Sequence, residues 1–274
     1  MASTTPFATF YLDIAGAQAE EQVAYALARN GMVTFDSIQS TGELLHLCSQ
    51  LGTIVKHRDA DEVGLTRIVK WCDLQPTDGY RAFTSFHLTL HTDGSSTADP
   101  ATLVILWCAQ PAEEGGISLF VDGKQIYQVL EREYPHVLQA LTAPNSALFA
   151  GSEVPLYSSV FSTLADGTIC LRFRYDSLGC YAAPVCSALP TFLALLDQHT
   201  ISFTLQKRQG YILQNGRWLH GRTAFRGERE MYRVLVRTDP ATPIGAHVHL
   251  GFHLDHSGEE GARMHEAKER YTPL

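Results

Sequence analysis

Residues 86–110 read FHLTLHTDGSSTADPATLVILWCAQ. The first part, FHLTLHTD, alternates apolar and polar side chains, which is the period of a strand with two unlike faces. The second part, ATLVILWCA, is a continuous apolar run, as in a strand buried on both faces. Trp107 and residues 103–107 are therefore expected in the core. Outward from this stretch the short strands continue. GGISLFVDG (115–123) is a strand after a Gly-Gly turn, and TICLRFRY (168–175), ISFTLQ (201–206), GYILQN (210–215) and MYRVLVR (231–237) read the same way. A helix is expected at KQIYQVLEREY (124–134) and another near 188–199. Residues 144–165 have no clear period and contain Pro, Gly and many Ser, so a lid or mobile loop is expected there.

Upstream, AQAEEQVAYALAR (17–29) reads as an amphipathic helix stopped at Asn30-Gly31. MVTFDSI (32–38) follows as a strand. Ser40 or Thr41 is placed to cap a second helix, with Leu44, Leu45, Leu47 and Leu51 facing inward and an end near Gly52. TRIVKWC (66–72) is a further strand. Many short strands, few helices and short turns predict a β-sandwich or barrel with helices packed outside. A doubly wound fold would need regular strand–helix alternation and a phosphate loop, and neither GxGxxG nor GxxxxGK[ST] occurs.

The 274 residues suffice for a sizeable core, and 45% hydrophobic with 18% charged residues is ordinary for a globular chain. A net charge of -8 argues against a nucleic-acid binder and is compatible with a cationic ligand. The cysteines at 48, 72, 108, 170, 180 and 186 form no CxxC pair and read as reduced thiols. No signal peptide is legible in MASTTPFATFYLDIAG, and no apolar run is long enough to span a bilayer. The expectation is a cytoplasmic protein without membrane or nucleic-acid partners. Its oligomeric state is not legible.

His91-Thr-Asp93 places two ligand-type side chains at i and i+2, which share a face on an extended strand. A third ligand must come from elsewhere, and His220, 129 residues on in NGRWLHGRTAF (215–225), is the best candidate. Two imidazoles and a carboxylate on one face of an iron leave three positions open, the facial triad of non-haem Fe(II) oxygenases. His-x-Asp alone is common, and its weight comes from what surrounds it. Arg233 lies thirteen residues past His220, and Arg237 four further on shares its strand face. An oxo-diacid needs such a planar cation for its far carboxylate.

With these pieces in hand, the chain resembles the taurine dioxygenase and clavaminate synthase-like superfamily of Fe(II)/2-oxoglutarate oxygenases. The resemblance rests on LHTDG (90–94), PAEEGGISLFVD (111–122), NGRWLHGRTAF (215–225) and YRVLVR (232–237), in that order and spacing. It covers roughly residues 20–240, with the N-terminal third matching only in pattern. It implies a double-stranded β-helix, or jelly roll, with flanking helices. One domain over 1–274 is expected, with the jelly-roll core at about 85–240, N-terminal helices and strands at 1–84 and a tail at 241–274.

The resemblance further implies that His91, Asp93 and His220 hold Fe(II), and that 2-oxoglutarate and O₂ are co-substrates. The family's Gly-Gly-x-Thr hydroxyl is replaced by Ser118, 27 residues after His91, which keeps the hydroxyl. Arg233 corresponds to the arginine for the co-substrate's far carboxylate, and Arg237 to a contact for the substrate's acidic group. Because Asp93 is retained, hydroxylation, desaturation or cyclisation is implied rather than halogenation. The implied substrate is a small polar metabolite, an amino acid or derivative. The competing readings are a jelly-roll protein that binds a metal or small molecule without turnover, and a Zn(II) hydrolase built on the same residues.

Several residues carry less. His87 shares the strand face of His91 and reads as a neighbour rather than a ligand. Arg222 either orients the site or lies in a turn. Tyr80, Arg81, Tyr157 and Arg174 are plausible substrate contacts without a motif. His247, His249, His253 and His256 have metal-like spacing in HVHLGFHLDH, but read best as a solvated terminal segment.

Overall fold

Two antiparallel sheets face each other, and strand alternation decides which side chains meet between them. The computed structural model describes residues 5–14, 19–71 and 79–254. Its helices are α1 (Pro6–Thr9), α2 (Ala19–Asn30), α3 (Thr41–Leu51), α4 (Gly123–Glu133), α5 (Pro135–Thr142) and α6 (Ala183–Gln198). The first strands are β1 (Met32–Phe35), β2 (Thr53–Val55), β3 (Leu65–Ile68), β4 (Leu88–His91), β5 (Leu103–Gln110), β6 (Glu114–Gly115), β7 (Ser118–Asp122) and β8 (Ala147–Phe149). There follow β9 (Leu156–Ser158), β10 (Phe161–Thr163), β11 (Ile169–Leu171), β12 (Gly179–Tyr181), β13 (Ile201–Phe203), β14 (Gly210–Gln214), β15 (Trp218–Arg222), β16 (Phe225–Arg226) and β17 (Glu230–Arg237).

The larger sheet runs β1-β14-β5-β17-β2, with β3 also paired to β17, and the smaller runs β13-β7-β15-β4. β5 shows why its sequence is apolar throughout. Val104, Leu106 and Cys108 join the core between the sheets, with Phe120 and Trp218 of the smaller sheet. Leu103, Ile105 and Trp107 point outward and pack with Val23 and Leu27 of α2 and Leu44, Leu47 and Leu51 of α3. The smaller sheet sends Val121 and Leu219 outward to meet Ile126 and Leu130 of α4, Val137 and Leu141 of α5 and Phe192 of α6. Each such side chain contributes roughly 1.5–3 kcal/mol by leaving water. The order helices, sheet, core, sheet, helices is the expected jelly roll, made of two facing sheets rather than a closed barrel.

Local signals set the ends. α3 starts where the Ser40 hydroxyl accepts from the Glu43 amide at 3.2 Å, while the Glu43 carboxylate accepts from the Gln39 amide. Asp122 caps α4 through the Lys124 amide and binds Arg217 at 2.8 Å, which ties that helix to the turn before β15.

One expectation is corrected, and elements not read from sequence are added. Residues 144–165 contain β8, β9 and β10 rather than one unstructured lid, because three-residue strands are too short to show a period. α5 goes unseen in sequence because Pro135, which opens it, also marks the end of α4. From the N-terminal segment, β1, β2 and β3 all join the larger sheet. Among the described residues, no helix is long and apolar enough to cross a membrane.

Candidate active site

β4 ends at His91, and antiparallel pairing with β15 sets His220 directly opposite it. Facing residues of such a pair project to the same side. The two rings lie 4.5 Å apart, and the chain leaves β4 to bring Asp93 against both. Asp93 Oδ1 stands 3.6 Å from His91 Nε2 and 3.7 Å from His220 Nε2. Among the described residues this is the single group of three His, Cys, Asp or Glu side chains close enough to share an ion, with ligand atoms within 4.8 Å of one another. His87 is outside it.

The protonation states suit a metal, whose ligands must be unprotonated. Burial pushes the His220 imidazole down to about 3, and the neighbouring His91 adds to this, so His220 is neutral at ordinary pH. His91 Nδ1 lies 2.8 Å from the Thr89 carbonyl, which calls for a proton on Nδ1 and leaves Nε2 as the nitrogen turned to Asp93. Burial opposes ionisation of Asp93, but the Arg233 guanidinium and the two histidines hold its carboxyl well below the usual range. Arg233 Nη1 donates to Asp93 Oδ2 at 3.0 Å, which leaves Oδ1 turned to the imidazoles. This donor set of two imidazoles and one carboxylate oxygen fits Fe(II).

Buried side chains pin the ligand loop from behind. Asn215 Nδ2 donates to the carbonyls of Asp93 and Ala101, at 3.0 and 2.9 Å. Arg172 Nη1 donates to the carbonyls of Gly94, Ser95 and Thr97. The Thr92 amide donates to the Phe173 carbonyl, and the Phe173 amide donates to the Thr92 hydroxyl.

A cavity of about 500 Å³, measured out to its open mouth, adjoins His91 and His220. Ile68, Leu88, Val104 and Leu106 give it apolar walls, while Ser118, Arg222, Arg229 and Arg233 give it polar groups. Three guanidiniums in one cavity, with no acid lining it, suit an anionic guest. Ser118 and Arg229 also border a second small space and are both buried. Among the described residues Arg229 has no carboxylate partner, and it lies over the Phe225 ring at 5.6 Å. Burial lowers its pKa from the usual value.

Arg229 escaped the sequence reading. Arg229 and Arg233 have the same four-residue spacing as Arg233 and Arg237, and they share the cavity. Arg237 lies outside it, bound to Asp99 at 2.9 Å. Arg222 is buried and donates to the carbonyls of Phe86, Thr84, Ala82 and Arg81. It thus holds the segment leading into β4. Tyr80 lies under Arg58, Arg81 Nε donates to the His87 carbonyl, and Tyr157 is exposed. His249 and His253 rings are 5.0 Å apart, and His253 contacts Thr168. His256 and Cys72 lie outside the described residues.

Arg174 stands on the other side of the metal ligands. It is the antiparallel partner of His91 on the edge away from β15. Its guanidinium meets Asp176 in a two-pronged pair of 2.7 and 2.6 Å. Burial opposes it, but Arg174 and the Leu178 amide hold Asp176 below its usual pKa, and His91 acts in the same direction.

Comparison with known proteins agrees with this geometry. The model of the family described as "Taurine catabolism dioxygenase TauD, TfdA family" matches residues 5–163. The gamma-butyrobetaine dioxygenases of Homo sapiens and Pongo abelii are each 25% identical over 173 residues, covering 56% of this chain and 44% of theirs. The chain thus spans less than half the length of those relatives. An asparagine oxygenase solved with Fe(II), 3-hydroxyasparagine and succinate superposes with a TM-score of 0.64 at 17% identity, covering 85% of each chain. The non-haem iron oxygenase OrfP, with Fe, succinate and (3S)-hydroxy-L-Arg, gives 0.63 at 13% identity, covering 86% of this chain and 87% of its own. PvcB, an Fe, alpha-ketoglutarate dependent oxygenase from an isonitrile synthetic pathway, gives 0.60 at 16% identity, covering 80% and 81%. At these identities the structures speak for a shared fold.

Proposed function

Because the chain belongs to the TauD/TfdA family, we propose that it is an Fe(II)- and 2-oxoglutarate-dependent oxygenase acting on a small polar metabolite, an amino acid or amino-acid derivative. The observation that carries this reading is one juxtaposition. His91, Asp93 and His220 converge, and a cavity with Ser118, Arg229 and Arg233 opens directly beside the two imidazoles.

In this reading His91 Nε2, His220 Nε2 and Asp93 Oδ1 hold the metal. Bound iron with 2-oxoglutarate supplies the oxidising power, as O₂ is reduced and 2-oxoglutarate is converted to succinate and CO₂. Arg229 and Ser118 receive the far carboxylate of 2-oxoglutarate, since both are buried and Arg229 has no acid of its own among the described residues. Arg233, a further co-substrate contact, also neutralises Asp93. The apolar walls at Ile68, Leu88, Val104 and Leu106 keep bulk water from the reacting atoms. Hydroxylation is the expected outcome, with desaturation or cyclisation as variants. We read residues 1–274 as one catalytic domain. Asparagine, arginine and butyrobetaine, named with the similar proteins, are all small carboxylate-bearing molecules, which supports the substrate class.

The test is succinate formation from 2-oxoglutarate with added Fe(II) and O₂, with and without a panel of amino acids. Substrate-dependent succinate is expected. Fe(II) binding that survives removal of both His91 and His220 would sink the reading.

A further inference from the structure

The co-substrate cavity occupies one flank of the metal ligands, so the oxidised substrate must approach from another. The β-pairing identifies that side. His220 faces His91 from β15, and Arg174 faces His91 from the opposite edge. The Thr92 amide donates to the Phe173 carbonyl at 2.9 Å, which makes His91 and Arg174 a facing, non-hydrogen-bonded pair. In such a pair the Cβ atoms lie about 4.5–5.5 Å apart and the side chains share a face. His220, His91 and Arg174 therefore form one row across the sheet, and Arg174 is its cationic end. Neither Arg174 nor Asp176 lines the co-substrate cavity.

The Arg174 guanidinium is held, but not used up. Nε and Nη2 bind Asp176, whose carboxylate is itself fixed by the Leu178 amide at 3.1 Å. Nη1 makes no hydrogen bond among the described residues. It faces the place where the loop at Gly151 meets the loop after Asp93. A Cβ at Gly151 would lie 3.3 Å from Leu178 Cδ1 and 3.8 Å from both Arg174 Nη1 and Ser96 Oγ, so a side chain there would crowd the approach to the guanidinium. The rim there is stapled. Arg58 donates to the carbonyls of Gly151 and Gly79, and the Ser152 hydroxyl donates to the Ser96 carbonyl.

We propose that Arg174, oriented by Asp176, receives the carboxylate of the amino-acid substrate and so sets its distance from the metal. The inference rests on the oxygenase reading and names a specificity-determining contact within it. An anchored guanidinium with a free edge suits a carboxylate, and the Asp176 pair lowers the entropy lost when it binds.

The experiment uses the full chain loaded with Fe(II) and 2-oxoglutarate without O₂, titrated calorimetrically. The probes are the proteinogenic L-amino acids and their decarboxylated amines, agmatine for L-arginine, histamine for L-histidine and tyramine for L-tyrosine among them. At least one amino acid should bind, and its amine about ten- to hundred-fold more weakly, the worth of a charged hydrogen bond. Arg174→Ala should weaken the amino acid by a similar factor while leaving the amine unchanged, and Arg174→Lys should restore part of the loss. Should Arg174→Ala fail to fold, the lysine and glutamine variants carry the comparison. Equal binding of amino acid and amine, equal amino-acid binding by wild type and the Arg174 variants, or no amino acid bound at all would each overturn the inference. So would loss of the discrimination in Arg237→Ala but not in Arg174→Ala. Failure of the wild type to bind Fe(II) and 2-oxoglutarate would instead strike the oxygenase reading itself.

Discussion

Arg233 and Asp93 are joined across 140 residues by a single hydrogen bond, Nη1 to Oδ2 at 3.0 Å. The carboxylate is thereby divided, with one oxygen toward the guanidinium and the other toward the two imidazoles. Arg233→Ala leaves Asp93 buried without its counter-charge, and breaking a buried pair costs roughly 3–5 kcal/mol. A clear fall in the melting temperature of the metal-free protein is expected, partly recovered on adding Fe(II) or Co(II). An unchanged melting temperature would show that the pair contributes nothing to the fold.

Metal-free protein should lose stability in acid because of His220. Its folded pKa of about 3 lies below the ordinary 6.5, so only the unfolded chain takes up the proton between those values. The unfolded state then binds more protons, and stability falls as pH drops from 6.5 toward 3. Urea midpoints measured across that window should decline, and His220→Gln should flatten the slope.

Arg229→Ala should raise the KM for 2-oxoglutarate about ten- to hundred-fold, the worth of a charge-assisted hydrogen bond. Ser118→Thr should be mild, since it keeps the hydroxyl, whereas Ser118→Ala should also raise that KM. Succinate formation at varied 2-oxoglutarate is the measurement. An Arg229→Ala enzyme with the wild-type KM would leave Arg233 as the arginine for this carboxylate.

Arg237 binds Asp99 at an exposed position, so Arg237→Ala should cost no more than about 1 kcal/mol of stability. If Arg237 also meets the substrate's acidic group, as proposed from sequence, the substrate KM should rise while that for 2-oxoglutarate stays put. Two unchanged KM values would end that role.

Asn215→Ala should weaken metal binding although Asn215 touches no metal. It removes both donors that hold the Asp93 and Ala101 carbonyls, and buried acceptors left unpaired cost about 1–3 kcal/mol each. Co(II) titration should show reduced affinity with the same donor set. Unaltered affinity would mean the loop keeps its place without this contact.

Local pattern made a good part of this legible. Alternation in FHLTLHTD placed His91 on a strand beside Asp93, the apolar run at 103–107 marked the central strand, and Ser40 and Gly31 marked helix ends, because each depends on neighbours a few residues away. The arginines show where local pattern stops. Arg229, Arg233 and Arg237 recur every four residues, so spacing alone does not rank them. A register shift between Glu230 and Met231 and the pairing of β17 with β5 bring Arg229 and Arg233 to the cavity, while Asp99 takes Arg237. The strands within 144–165 were hidden for a related reason, since three residues make no period and their partners lie far along the chain.

The sequence by itself determined the ligand types, the hydroxyl at Ser118 and the alternation of buried faces, all of which follow from side-chain chemistry and backbone period. Only the tertiary structure decided which side chains are neighbours. Antiparallel pairing set His220 against one side of His91 and Arg174 against the other, and burial then made His220 neutral and Asp93 charged, because desolvation and facing charges arise only once distant strands have met.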